Sequence, residues 1–256
     1  LCNVLIDEIP ESLAGVRKIV FGGEQASAAH VRKGVAELGP GRLVNGYGPT
    51  ECTVFAAVST PTGEGPSPIP IGKPITETEI YILDREMRPV APGVEGEIYI
   101  GGKGLARGYL NRPDLTAERF VPHPFASEPG QRLYRTGDAG AWLPDGSIRF
   151  LRRVDGQVKL RGFRVELGEI EQAIKEVPGV REALVLVRDE GRGNKSLAAF
   201  ATPGTAPGPG EIRKTLANRL PDYMVPAHIA RLDGFPMTTN GKVDREALLR
   251  LPLAEG

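Results

Sequence analysis

The sequence predicts a mixed fold, α/β at its start and α+β at its end, with a β-rich stretch between them. Three observations carry that prediction. Over residues 1–60 two short apolar runs, VRKIVFGG and RLVNGYG, end in glycines and flank a helical stretch. That is how buried strands meet turns in an open α/β sheet, and ligands usually sit at such strand ends. From about 70 to 153, apolar and polar residues alternate in runs separated by DG and PG turns, the period of half-buried strands. After Asp155, strand-like and helix-like stretches alternate over about 100 residues, enough for one compact α+β domain. The expected boundaries are 1–65, 66–154 and 155–256.

The elements follow in order. Leu1, Val4, Leu5 and Ile9 suit an amphipathic helix. Residues 16–23 form the first strand, 25–38 a helix, and 42–48 a second strand that runs into a loop. PTGEGPSPIPIG (61–72) is a Pro/Gly linker. TEIYILD (78–84), GEIYIGG (96–102), AWLP (141–144) and SIRFLRR (147–153) alternate as strands do. Beyond them QVKLRGFRVE is strand-like and LGEIEQAIKEV (167–177) has helical spacing. EALVLVRD (182–189) and SLAAFAT (196–202) are strands, EIRKTLANRL (211–220) a helix, and HIARLDGFP a last strand. TPGTAPGPG (202–210) reads as a surface loop. There is no internal repeat.

Composition narrows the function classes. The 256 residues hold 32 basic and 32 acidic side chains, so the net charge is zero. A general nucleic-acid binder usually shows a basic excess. No apolar run approaches the ~18 residues of a membrane span. Cys2 and Cys52 make no disulfide framework, and no CxxC or histidine cluster offers a zinc site. A reducing cytoplasm fits this usage. Gly and Pro, 33 and 23 residues, make the chain loop-rich. It opens in mid-helix by pattern, with no initiator Met or signal peptide, which predicts a piece of something longer.

Four segments can carry chemistry. In NGYGPTE (45–51), Gly46 and Gly48 let the backbone approach a ligand and Tyr47 offers an aromatic face. Thr50 and Glu51 could hold a phosphate and its magnesium ion. The plain alternative is a glycine turn with an exposed acid. In YRTGD (134–138), Asp138 after a tight glycine turn could accept from both ribose hydroxyls, or bond its own backbone. The 152–171 stretch carries Arg152, Arg153, Lys159, Arg161 and Arg164, a phosphate binder or a solvated surface. Asp155-Gly156 is a turn or a hinge. Finally, Asn240-Gly241 marks a turn with Lys242 at its tip, functional or simply solvated.

Taken together the strings say more. FGGE (21–24), NGYGPTE, GEIYIGGKGLARGYLNRPDLTAERF (96–120), YRTGD, DGQVKLRGFRVELGEIE (155–171), LPDYMVP (220–226) and NGKVDR (240–245) occur in one order over nearly the whole chain. The chain resembles the adenylation domain of non-ribosomal peptide synthetases, within the adenylate-forming superfamily. The ELGEIE string and the DYMVP–NGKVDR tail resemble the peptide-synthetase branch rather than acyl-CoA ligases. The fold so implied is the C-terminal portion of the large adenylate-forming domain, an α/β sheet piece plus a β-rich subdomain, followed by a mobile α+β C-terminal domain.

The resemblance implies a two-step reaction. An amino-acid carboxylate attacks the α-phosphate of ATP, and the acyl group then passes to a phosphopantetheine thiol on a peptidyl carrier domain. It implies that Tyr47 stacks on adenine with Gly23 near the other face, and that Gly48 lies beside the nucleotide. Thr50 would contact the α-phosphate and Glu51 would hold Mg2+. Asp138 and Arg153 would reach the ribose, and Asp155 would be the hinge. Lys242 would touch both the substrate carboxylate and the phosphate. A lysine there would bring two anions together and offset charge developing at phosphorus. Val20, Gly22, Gly46, Val54, Phe55 and Lys242 would line the amino-acid pocket, although Val20 and Phe55 also suit plain core packing. Lys159 and Arg164 would belong to a structural or thiolation-step loop.

Some of the family pattern is not in this sequence. The phosphate loop and the segment that carries the aspartate for the substrate's α-amino group would both precede FGGE. The implied partners are therefore the missing N-terminal portion, the carrier domain and a small MbtH-like protein. At the other end, Leu251-Pro252-Leu253 resembles the start of a linker to a carrier domain, with Ala254 where a second Pro is common. A non-catalytic docking fragment and an acyl-CoA ligase for a non-amino acid are the competing readings. His30, His123 and His228 match no ligand position, Cys52 suits a small buried residue, and Trp142 suits packing in the β-rich part.

Overall fold

The computed structural model describes residues 2–65, 67–160, 162–191 and 194–252. The chain forms two compact units, Leu1–Asp155 and Gly156–Gly256. No helix among the described residues is long and apolar enough to cross a membrane.

The first unit begins with helix α1 (Cys2–Glu8), strand β1 (Ile19–Gly22), helix α2 (Ala28–Leu38) and strand β2 (Leu43–Tyr47). Strands β1 and β2 pair in parallel, with Val20 beside Val44 and Gly22 beside Gly46. Strands β3 (Ala57–Ser59) and β4 (Lys73–Pro74) extend the same sheet antiparallel. The α1 stripe differs from expectation. Ile6 is the buried residue, at 1% exposure, while Val4 and Ile9 are exposed. The reason is contact: Ile6 packs with Leu38 and Leu43, and Gly34 of α2 lets it approach, because a Cβ there would lie 2.9 Å from Ile6 Cδ1. Leu1 lies outside the described residues.

A second sheet contains β5 (Thr78–Leu83), β6 (Gly96–Gly102), β7 (Phe120–Pro122), β8 (Arg132–Trp142) and β9 (Ile148–Arg153). Helix α3 (Pro113–Arg119) leads into β7. The order is β5-β6-β8-β7, with β9 pairing the far end of β8. YRTGD is therefore no tight turn. It lies inside β8, where Gly137 takes a φ of +73° and the β6–β8 register shifts. A bulge of this kind adds residues to one strand and re-aims its side chains. Likewise AWLP is no separate strand, since Ala141 and Trp142 end β8. Trp142 packs against the Ile80, Ile82, Ile98, Ile100 core, and Cys52 is buried in the same cluster.

The second unit opens with a hairpin, β10 (Gln157–Leu160) and β11 (Phe163–Glu166), followed by helix α4 (Leu167–Lys175). Arg161 lies outside the described residues. Strands β12 (Glu182–Gly191), β13 (Asn194–Thr202) and β14 (His228–Arg231) form a sheet in that order, with β13 and β14 parallel. Helix α5 (Pro209–Ala217) precedes β14 and helix α6 (Arg245–Arg250) follows it. Strand period sorts the core. Val185, Leu197, Ala199 and Ala201 pack with Ile170, Ile174, Ile212 and Leu216, whereas Leu186, Ala198 and Phe200 pack with Leu248. The 202–210 loop is not wholly on the surface, because Ala206 is 1% exposed.

The two sheets of the first unit are joined at Gly72. Its carbonyl accepts from Ile148 N–H at 2.8 Å, and Ile71 N–H donates to the Ile148 carbonyl at 2.9 Å. Gly72 has a φ of +92°, and a Cβ there would lie 1.8 Å from the Val58 carbonyl oxygen. Gly72→Ala is thus expected to cost about 2–5 kcal/mol, from left-handed strain plus a backbone clash. Gly15→Ala, with nothing within 4 Å of the new methyl, is expected to stay within about 0.5 kcal/mol of wild type. Urea unfolding of the two variants checks this, and coincident midpoints would refute it.

Candidate functional site

The loop after β2 brings several predicted residues into one neighbourhood. From Tyr47 the chain passes Gly48-Pro49 into a single 3-10 turn, Thr50–Cys52. Thr53 and Val54 then both take positive φ, 57° and 69°. For β-branched residues that is strained, and strain of this kind persists only where the surroundings hold it. Here Thr53 Oγ1 donates to the Gly104 carbonyl at 2.8 Å, and Ala56 N–H donates to the Tyr47 carbonyl at 2.7 Å.

The turn delivers Phe55 back onto the strands. A Cβ on Gly46 would lie 2.4 Å from the Phe55 ring, and one on Gly22 would lie 2.2 Å from the Gly46 carbonyl oxygen and 3.4 Å from the ring. A Cβ on Gly48 would meet the backbone of Val54–Ala56 at 2.6–2.8 Å. The glycines expected to admit a ligand thus admit the protein's own Phe55 and its neighbouring backbone. Gly22, Gly46 and Phe55 are in contact, and Val20 lies on the same face of β1 as Gly22. Val20 and Val54 are exposed, at 50% and 63%, so neither is core packing. Gly23 follows β1 with a φ of +91°, and Thr50 is exposed.

Glu51 is not the exposed acid of a simple turn. It is 8% exposed, and its Oε1 accepts from Tyr109 OH at 2.6 Å and Tyr134 OH at 2.7 Å. The two hydroxyls are 3.3 Å apart. Burial, then the hydrogen bond to Glu51, pushes the Tyr109 phenol well above its ordinary pKa, so it stays a donor.

Asp138 is 2% exposed. Its Oδ2 accepts from Tyr47 OH at 2.5 Å and its Oδ1 from Arg153 at 2.9 Å. Asp138 and Arg153 are direct partners across β8 and β9, which is why they meet. Arg153 also donates to both oxygens of Asp155, at 2.9 and 2.6 Å, and Arg119 reaches Asp155 Oδ2 at 3.3 Å. The sequence reading missed Arg119, Tyr109 and Tyr134. Tyr47 is 6% exposed, so most of the ring expected to stack on a ligand faces the core. Burial and the charge of Asp138 push its phenol well above the ordinary value.

In the second unit, Lys242 is exposed on a tied turn. Its carbonyl accepts from Thr238 N–H at 2.7 Å and its N–H donates to Thr238 Oγ1 at 3.2 Å. Met237 and Val243 close the turn as a bridge, and Asp244 caps α6 by accepting from Ala247 N–H at 2.9 Å. Lys159 and Arg164 face each other across the β10–β11 hairpin, and Arg164 donates to Gln157 Oε1 at 2.7 Å.

The donor set fits a nucleotide and magnesium. Magnesium takes oxygen ligands and is usually bound through one or two carboxylates plus substrate phosphates. Glu51 supplies a carboxylate, and Thr50, its neighbour in the same 3-10 turn, a hydroxyl. No cluster of three or more His, Cys, Asp or Glu suited to a metal occurs among the described residues. A carboxylate offers about four acceptor positions, and Asp138 uses both of its oxygens for Tyr47 and Arg153. A cleft of about 400 Å³ elsewhere in the first unit, between α2, β3 and the 61–72 stretch, is lined by none of these residues.

Known proteins match along the same residues. The AMP-binding enzyme family model matches residues 2–110, and the AMP-binding enzyme C-terminal domain model matches 169–242. Surfactin synthase subunit 1 of Bacillus subtilis (strain 168) is 48% identical over 250 residues, which is 97% of this chain and 7% of that protein. Bacitracin synthase 1 of Bacillus licheniformis is 46% identical over 250 residues, 97% of this chain and 5% of that protein. Holo-PA1221, an NRPS protein containing adenylation and PCP domains, superimposes with a TM-score of 0.84 at 38% identity, covering 97% of this chain and 43% of its own. The chain thus spans under a tenth of these synthetases and under half of that solved structure. By sequence and by fold it belongs to the AMP-binding enzymes, among the adenylation domains of nonribosomal peptide synthetases.

Proposed function

We propose that these residues are the C-terminal part of an amino-acid adenylation domain. The complete domain would form aminoacyl-AMP from an amino acid and ATP, then pass the acyl group to the phosphopantetheine thiol of a peptidyl carrier domain. A small MbtH-like protein and a cytoplasmic setting complete this reading. One observation supports it above the others: two buried carboxylates, Glu51 and Asp138, are each held by donors from distant parts of the chain, Tyr109 and Tyr134 for the first, Tyr47 and Arg153 for the second.

The residues divide the work by chemistry. Asp138 accepts from the ribose hydroxyls, with Tyr47 and Arg153 fixing its two oxygens. Tyr47 acts mainly through that hydrogen bond and offers the nucleotide only the edge of its ring. Gly23 and Gly48 give backbone alongside the base. Thr50 donates to the α-phosphate, and Glu51 holds Mg2+. Magnesium, when bound, screens the phosphate charges and polarises the phosphoryl oxygens. Lys242 supplies a cation to carboxylate and phosphate together, which converts an encounter of two anions into an oriented pair. Phe55, seated on Gly22 and Gly46, floors an apolar pocket edged by Val20 and Val54. Asp155 is the hinge, so the unit that carries Lys242 can present it for one half-reaction and withdraw it for the other. Lys159 and Arg164 serve the hairpin's structure or the thiolation step.

The test is ATP–pyrophosphate exchange across the common amino acids. Exchange that depends on one amino acid, from the complete domain and not from these 256 residues alone, is the expected result. A complete domain silent with every amino acid would overturn the reading. Lys242→Ala is expected to cut exchange roughly 10²–10³-fold, the scale for losing one charge-stabilising donor. It should cut acyl transfer from preformed aminoacyl-AMP far less, and equal losses would remove the assigned role.

Asp138→Ala is expected to weaken ATP binding roughly 10- to 100-fold, since hydrogen bonds to charged groups contribute about 1.5–3 kcal/mol. Calorimetric titration with ATP reads this, and an unchanged affinity would count against the ribose contact.

A further inference from the structure

We propose that Tyr109 and Tyr134 are positioning residues for magnesium, holding the Glu51 carboxylate in the one orientation from which it binds the ion. This rests on the reading of Glu51 as the magnesium ligand. Both phenols donate to the same oxygen, Oε1, at 2.6 and 2.7 Å. One hydrogen bond leaves a carboxylate able to pivot about it, whereas two donors from different directions fix the plane of the group.

The donors come from separate elements and are themselves held. Tyr134 belongs to β8 and is fully buried, with its ring centroid 5.1 Å from that of Phe120. Tyr109 precedes α3, and its ring meets the same Phe120 edge-on at 5.6 Å. The backbone N–H of Tyr109 donates to Thr116 Oγ1 at 2.9 Å, tying its loop to α3. The backbone of the acid is fixed as well, because the Glu51 carbonyl accepts from Ala106 N–H at 2.8 Å. Phe120 thus braces two phenols, and the phenols brace one carboxylate. Outer-shell partners of this kind commonly set metal affinity by 10- to 100-fold.

The experiment uses the complete adenylation domain and follows Mn2+ binding by electron paramagnetic resonance, reading the signal that requires protein and ATP together. Tyr109→Phe and Tyr134→Phe keep the rings and remove the donors. Each is expected to weaken Mn2+ binding about 10-fold, and the pair more, with ATP affinity in EDTA unchanged and the melting temperature lowered only by the loss of a donor to a buried acceptor. That separation would not arise from general damage, which would weaken Mn2+ and ATP binding together. Should Tyr134→Phe fail to fold, Tyr109→Phe on its half-buried ring decides the matter. Wild-type Mn2+ affinity in the tyrosine variants, with binding lost in Glu51→Gln, overturns the proposal and leaves the Glu51 reading standing. Wild-type affinity in Glu51→Gln overturns both.

Discussion

Strand β8 is the constraint on which the first unit depends. Its start pairs with β7, its end with β9, and β6 runs along the other edge. Because it pairs with three strands, its register sets where the polar side chains emerge. Tyr134 arrives at Glu51, Thr136 donates to the Ile98 carbonyl, and Asp138 arrives at Tyr47 and Arg153. A slip of one residue would turn every one of these groups to the other face. The bulge at Gly137 makes the arrangement possible: a Cβ there would lie 2.3 Å from Asp155 Oδ2, so only glycine lets Asp155 close against the strand.

Charge balance explains how one buried and three partly buried ionic groups sit in one place. Asp138 and Asp155 face Arg153 and Arg119, with the neutral phenol of Tyr47 as a further donor. Removing charges from water is costly, and pairing with close hydrogen bonds is what offsets it. Such a network is unforgiving, since deleting one member of a buried pair typically costs about 3–5 kcal/mol. It also links the proposed ribose carboxylate to the proposed hinge through a single guanidinium. Arg153 bonds Asp138 and Asp155 at once.

The second unit is built around a sheet and core of its own. A three-stranded sheet is covered on both faces, by α4 and α5 on one and by α6 on the other. Lys242 sits immediately before the capped start of α6, between a bridge and a positive-φ glycine. A long flexible side chain is thereby mounted on a short, hydrogen-bonded turn. On the same unit, Phe163 of β11 stacks on Tyr223 at 4.1 Å, which ties the hairpin to the 3-10 turn after α5.

Much of this was legible in the residues themselves. Period-two alternation placed β5, β6 and β9, while EALVLVRD and SLAAFAT, β12 and β13, are largely apolar runs whose sheet is covered on both faces. Of the residues singled out from the family strings, Glu51 and Asp138 are buried and hydrogen-bonded, and Lys242 is exposed on its turn. Local pattern misled where a contact outside the segment decided the outcome. The face of α1 was set by Gly34, which admits Ile6, and YRTGD became strand because β6 and β9 supply its hydrogen bonds. The tyrosines on Glu51 and the arginine on Asp155 could not be read at all. They lie 58, 83 and 36 residues from their partners, and sequence carries no distance between such positions. Chemistry by residue type belongs to the sequence. Which oxygen meets which donor was decided by strand register, since only pairing in three dimensions sets it.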